Sequence, residues 1–216
     1  MPFSEGQPYG QIVILNGAPR SGKSSIVEAI QADFEGVWIN LGVDAYVRHI
    51  TPPRYRPGIG LRPGGERPDL EPLVPRFYAA LYASIAAHSR VGLNVVAEFG
   101  HHDDYSQPLG ILADCAKLLA RLPVLFVGVH CPLDVVMQRR LDEGPERQGT
   151  YVTVAADMPI PAPVIAWQEQ VHRPGIYDLE VDTSVSSPET CAAEIRQLLA
   201  GGLRHPTAFE RIAQHS

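Results

Sequence analysis

Residues 17–24 read Gly17-Ala18-Pro19-Arg20-Ser21-Gly22-Lys23-Ser24, a complete G-x-x-x-x-G-K-[ST] phosphate-binding loop. No other feature of the chain limits its fold as tightly. The string works only as a turn from a buried strand into a helix. Its flanks supply both: an apolar run over residues 11–16 and a helix-like stretch, Ser25-Ile26-Val27-Glu28-Ala29-Ile30. In that setting successive backbone N–H groups converge on an anion, and the helix N-terminus adds its positive dipole end. Gly17 and Gly22 permit angles and approaches that a Cβ would obstruct. Residues 17–25 are therefore expected to hold the phosphates of a nucleotide, read as ATP. Lys23 would reach the β- and γ-phosphates and Ser24 would ligate Mg²⁺.

Four further apolar runs look like strands: residues 37–41, 93–98, 124–129 and 177–181. Several are nearly continuous in Val, Ile and Leu, the pattern of strands buried on both faces of a parallel sheet. Helical patterns lie between them. Phe77, Leu81 and Ile85 recur every four residues, as do Tyr78 and Tyr82, and Leu109, Leu112, Ala116 and Leu119 make another stripe. These predict core packing. The last long helix has Ser186 or Ser187 as cap, Pro188 in its first turn, Cys191, Ile195 and Leu198 facing inward, and Gly201-Gly202 as its end. The alternation of strands and helices predicts an α/β layered fold. Residues 51–75 break the rhythm with many Pro and Gly and with Arg54, Arg56, Arg62 and Arg67. So long a segment without regular structure is expected to arch over the active site or to be a surface insertion.

In an open α/β sheet, ligands bind beyond the carboxyl ends of the strands. Asp44 follows the second run, where it suits a catalytic base for an attacking hydroxyl or a cap on the helix that follows. Glu98 ends the third run and is the candidate second Mg²⁺ residue. His101, His102, Asp103 and Asp104 follow it; acceptor contacts by the histidines and capping by the aspartates are expected, rather than a metal site. After the fourth run, Arg139 and Arg147 are read as lid arginines that neutralise transferred charge, and Arg140 as a solvated neighbour. Tyr46, Arg48 and His172 complete the expected acceptor contacts. Asp182-Thr183 is open between a contact to the nucleotide base and a turn.

The formal net charge of −6 argues against nucleic acid as the partner, because phosphate backbones need a basic face. No run approaches the length of a membrane span, and the first residues do not read as a secretory signal. Cys115, Cys131 and Cys191 are scattered without paired spacing, as expected of reduced thiols in a cytoplasmic protein. The oligomeric state is left open.

The chain resembles the chloramphenicol phosphotransferase-like family of small phosphate-loop kinases, from about Ile12 to Leu199. The similarity runs through Ile14-Leu15-Asn16-Gly17, Gly22-Lys23-Ser24 and Gly42-Val43-Asp44. It continues through Phe126-Val127-Gly128-Val129-His130-Cys131, Arg139, Val171-His172 and the segment from Tyr177 to Thr183. The resemblance implies a three-layer P-loop NTPase fold with a five-stranded parallel sheet of order 2-3-1-4-5 flanked by helices. It implies ATP-dependent phosphorylation of a small-molecule hydroxyl, chloramphenicol being the family's antibiotic. It places Asp44 on the family's catalytic base and Arg139 and Arg147 on lid arginines. Residues 1–200 would form one kinase domain, with an acceptor-site insertion at about 46–75 and a lid at about 139–160, and residues 201–216 a C-terminal tail with room for a short helix. The chain departs from the pattern at Ala97-Glu98, where the family has paired acids, at Glu143, where it has a lid arginine, and in the acceptor segment 51–75.

Overall fold

The computed structural model describes residues 8–142 and 159–214. Five parallel strands form one sheet: β1 (Ile12–Asn16), β2 (Trp38–Asn40), β3 (Asn94–Phe99), β4 (Val124–His130) and β5 (Leu179–Asp182). Their order is β2-β3-β1-β4-β5, so the strand that enters the phosphate loop lies at the centre. Every residue of β1 is buried. Ile12 and Ile14 enter one layer of core and Val13 and Leu15 the other, as period-two geometry requires. β4 divides in the same way, with Val124 and Phe126 on one side and Leu125, Val127 and Val129 on the other. This two-sided burial produces the unbroken aliphatic runs in the sequence.

Helices cover both faces. On one side lie α1 (Lys23–Asp33) and α7 (Pro188–Gly201). On the other lie α3 (Val74–Arg90), α4 (Ile111–Leu119) and α8 (Ala208–Gln214). The short α2 (Val43–Ala45) follows β2, α5 (Leu133–Leu141) follows β4, and α6 (Ala162–Gln170) precedes β5. The expected signals at α7 are present: the Ser187 hydroxyl accepts from the Thr190 N–H, Pro188 opens the helix and Gly202 closes it at φ 82°. Its buried face is Cys191, Ala192, Ile195 and Leu199, with Leu198 at the margin. On α4 the stripe is displaced. Ile111, Cys115, Ala116 and Leu119 point inward because the helix begins at Ile111, after Leu109. All three cysteines are free and buried. Among the described residues, no helix is long and apolar enough to cross a membrane.

Beyond residue 201, α8 joins the core through Ala208, Phe209 and Ile212. Phe209 of α8 is fully buried, packed edge-on against Phe126 at 4.9 Å and stacked with Tyr82. Asp178 fixes this helix to the sheet. Its carboxylate accepts from the Ala208 N–H at 2.6 Å and from the Phe126 N–H at 3.0 Å. Replacing it strands two donors at a partly buried junction, each costing about 1–3 kcal/mol. Asp178→Ala is therefore expected to lower the unfolding free energy by about 2–4 kcal/mol in urea titration. A midpoint equal to that of the native chain would show that α8 docks through its apolar face alone.

Candidate active site

The phosphate loop joins β1 to α1 with Arg20 at φ 76° and Gly22 at φ 90°. Left-handed residues within such a turn curl the backbone into a concave run of N–H groups. The first N–H groups of α1 have no intrahelical acceptor and open onto the same space. Lys23 folds back across the loop, its ammonium donating to the carbonyls of Gly17 and Ala18 at 2.8 Å each. Burial pushes its pKa down, while the nearby Glu98 and Asp44 carboxylates act the other way. The loop is braced from behind. Thr183 Oγ1 donates to the Ser21 carbonyl at 2.7 Å, and Arg139 of α5 donates to the Arg20 carbonyl, to Thr183 Oγ1 and to the Thr183 carbonyl.

The end of β3 delivers a carboxylate to the loop. Ser24 Oγ donates to Glu98 Oε2 at 2.8 Å. Glu98 is 8% exposed, and burial raises its pKa against the pull of Lys23 and the Ser24 bond. The end of β2 lies against it. A Cβ on Gly42 would meet Glu98 Cγ at 2.6 Å, so only glycine lets the two strand ends come this close. Asp44, two residues on, is exposed in the first turn of α2 and lies within electrostatic reach of both Lys23 and Glu98. Gly42 is the residue before that turn, and Asp44 is not its cap.

Lys23, Ser24, Ser25, Asp44, Glu98 and Arg139 line one cleft of about 780 Å³, together with Arg48 and with Pro57, Ile59, Gly60 and Arg62 from the Pro/Gly-rich segment. The structure separates the other expected acceptor residues from it. Tyr46 turns to the far side, where it meets the Phe77 ring and lines a second, smaller hollow with Pro52 and Tyr55. His101 lies beneath the site, with its ring 5.0 Å from Phe99 and its Nε2 2.7 Å from the Tyr82 hydroxyl. His172 stacks on His130 at 3.9 Å and pairs with the Tyr177 hydroxyl. These side chains leave the cleft because the direction a residue takes in a connecting segment depends on tertiary packing, which the sequence pattern does not record. Asp103 serves locally, accepting from the N–H groups of Leu109 and Gly110 just before α4. His102 is engaged with the Leu61 carbonyl. Arg147 lies outside the described residues, as does most of the expected lid.

Sequence reasoning missed Asn16 and Trp167. The Asn16 amide donates to the Val171 carbonyl and the Tyr177 hydroxyl, and its oxygen accepts from the His101 N–H. One buried side chain thus ties the base of the phosphate loop to the segments after β3 and α6. The available signal was an amide ending an otherwise aliphatic buried strand. Trp167 of α6 lines the cleft and approaches the Gly100 carbonyl with its Nε1 at 3.4 Å; no periodicity marked it.

His101, which is buried, and His172, which is half-buried, are expected to make the fold acid-sensitive. Burial pushes His101 down to about 3 and His172 down to about 4, whereas each titrates near ~6.5 when unfolded. Between those values the unfolded chain binds protons that the native chain refuses, so stability is full above about pH 6.5 and falls on acidification. His101→Gln is expected to flatten the dependence of the thermal midpoint on pH between about 4 and 6.5. An unaltered slope would assign the acid sensitivity to other groups.

The family model described as "Chloramphenicol phosphotransferase-like protein" matches residues 10–200. A Mycobacterium tuberculosis protein (strain CDC 1551 / Oshkosh), provisionally named an O-phosphotransferase, is 25% identical over 220 residues, spanning 96% of this chain and 89% of its own. Among solved structures, a Chloroflexus aurantiacus protein provisionally described as a kinase is similar with TM-score 0.58 at 16% identity, covering 91% of this chain and all of the other. The Mycobacterium tuberculosis APS kinase, solved with AMPPNP and APS, is similar with TM-score 0.56 at 18% identity, covering 89% and 99%. The shared architecture is that of the P-loop kinases.

Proposed function

We infer that this chain, which belongs to the chloramphenicol phosphotransferase-like family, transfers the γ-phosphoryl group of ATP to a hydroxyl of a small molecule. It is a phosphotransferase enzyme of the P-loop kinase fold. The observation that carries the finer reading is the convergence of Lys23, the Ser24–Glu98 pair and Asp44 on one cleft, delivered by the ends of three adjacent strands.

The phosphates of ATP would rest on the N–H groups of residues 17–25, with the Lys23 ammonium against the outer phosphates. Ser24 Oγ and the Glu98 carboxylate fit a hard divalent cation, since both offer oxygen and Glu98 is a buried anion whose charge needs offsetting. Mg²⁺ held there would supply charge neutralisation along the phosphates. Asp44 would hold the acceptor hydroxyl in line and take its proton. The alcohol oxygen bonds to the γ-phosphorus as the bond to the bridging oxygen breaks, and ADP leaves. The transition state is loose, so positioning by Asp44 contributes more than basicity. Arg139, anchored beside the loop, and Arg147 from the lid would offset charge on the transferring group.

Chloramphenicol is one candidate acceptor, from the family's description, and other alcohols are its competitors. The deciding experiment incubates the protein with Mg·ATP, chloramphenicol and a mixture of hydroxylated metabolites and follows each by mass spectrometry. One added phosphoryl group on an acceptor, with matching ADP, is expected. ATP that neither binds nor turns over with any acceptor would reject the phosphotransfer reading.

A further inference from the structure

We propose that the acceptor is an alcohol that also carries an oxyanion, bound by Arg48 and Arg62 at the mouth of the cleft, an inference that rests on the phosphotransfer reading above. The cations of the cleft fall into two groups. Arg20, Lys23 and Arg139 surround the phosphate loop, where a triphosphate accounts for them. Arg48 and Arg62 line the cleft from other elements, the turn that follows Asp44 and the Pro/Gly-rich segment, and neither belongs to the loop that would hold the triphosphate.

The chain builds this part of the cleft deliberately. α2 continues into a wide helical turn, Tyr46–Ile50, which sets Arg48 four residues beyond Asp44, with both exposed to the cleft. Arg56 locks the turn by donating to the carbonyls of Arg48 at 2.7 Å and Thr51 at 2.9 Å. The facing wall is the turn Gly58–Gly60, which lies beside Val43 of α2 and Val47 of the wide turn, with room at Gly60 for ordinary contact at 3.7–3.8 Å. Arg62 follows two residues later on that wall. The same walls also present apolar side chains to the cleft: Val43, Val47 and Ile59.

The two guanidinium groups differ in their commitments. Among the described residues the Arg48 side chain makes no hydrogen bond or ion pair. Arg62 meets Glu66 at 3.4 Å, with both side chains about a third exposed. Such a solvated pair contributes little and yields to an incoming anion. Of the acidic residues in the cleft, Asp44 and Glu98 face the reacting end, and Glu28 enters from α1. A ligand with an apolar body, a hydroxyl at Asp44 and an oxyanion at the arginines matches all three features. Charge-assisted guanidinium bonds are about twice as strong as neutral ones, so the anion rather than the body should dominate recognition.

Matched benzyl alcohols test this: 4-(hydroxymethyl)benzoate and 4-(hydroxymethyl)benzenesulfonate against the neutral 4-(hydroxymethyl)benzamide. Calorimetry with the AMPPNP-loaded protein reads binding, and steady-state transfer from ATP reads KM. At least one anionic probe should bind about tenfold or more tightly than the amide. Arg48→Met and Arg62→Met should each shrink that ratio, with Arg48→Lys restoring part of it. Because the amide serves as internal reference, a misfolded variant weakens both probes and is recognised as such. Equal affinity for the anionic and neutral probes, no binding of any of them, or a ratio that survives both replacements overturns the proposal. If the native protein binds AMPPNP yet shows no such preference, the phosphotransfer reading stands and the acceptor class is wrong. If AMPPNP itself does not bind, the phosphotransfer reading fails first.

Discussion

Replacing Asp44 with asparagine is expected to leave nucleotide affinity intact while lowering the turnover number by about 10²–10⁴-fold, the range for a positioned general base. The amide keeps the size of the side chain and one hydrogen-bonding oxygen. It loses the charge that draws a hydroxyl proton and that faces Lys23 and Glu98 across the cleft. Asp44 is exposed at the start of α2 and is not that helix's cap, so the change should cost little stability. The test pairs AMPPNP titration with steady-state transfer from ATP. A turnover number equal to that of the native enzyme would remove Asp44 from the mechanism and leave it an ordinary first-turn acid.

Lys23→Ala is expected to be more damaging, because it acts on binding and on transfer together. The ammonium sits over the loop on the carbonyls of Gly17 and Ala18, so its direction is set before any phosphate arrives. Removing a preorganised cation from a transferring phosphoryl group should lower kcat/KM by at least about 10³-fold. Nucleotide affinity should fall as well. A second consequence concerns Glu98, whose burial is offset chiefly by Lys23. Without that charge its pKa rises further, so the activity that remains should demand a higher pH and more Mg²⁺ than the native enzyme. Arginine should not rescue the variant, since a planar fork cannot take the place of a compact ammonium between two carbonyls. Ordinary activity in Lys23→Ala would contradict the assignment of the phosphate loop.

Much of this architecture was legible in the chain. The loop, the two-sided aliphatic strands and the capped last helix are local signals, each carried by neighbours in sequence, and the structure reproduces them with strand ends moved by a residue or two. The pairing of Ser24 with Glu98 was legible for a related reason: one opens the helix after the central strand and the other ends the adjacent strand. Arg139, expected as a lid arginine, lines the cleft, and three hydrogen bonds to Arg20 and Thr183 show it bracing the loop. Those partners lie more than forty residues away, and nothing near Arg139 announces them.

The histidines mark the boundary between the two kinds of information. His101 follows β3 and His172 follows α6, and both look like acceptor contacts in the sequence. One packs under the site against Tyr78, Tyr82 and Phe99; the other stacks on His130. Asn16, which reads as the last residue of a strand, connects three segments of the site. From the sequence alone came the phosphate grip, the parallel sheet and the candidate carboxylates, because backbone geometry and periodic burial are properties of short stretches. Only the tertiary structure decided which side chains share the cleft and which lie beneath it. That choice is made by close packing between distant segments, where a Cβ on Gly42 would already press on Glu98.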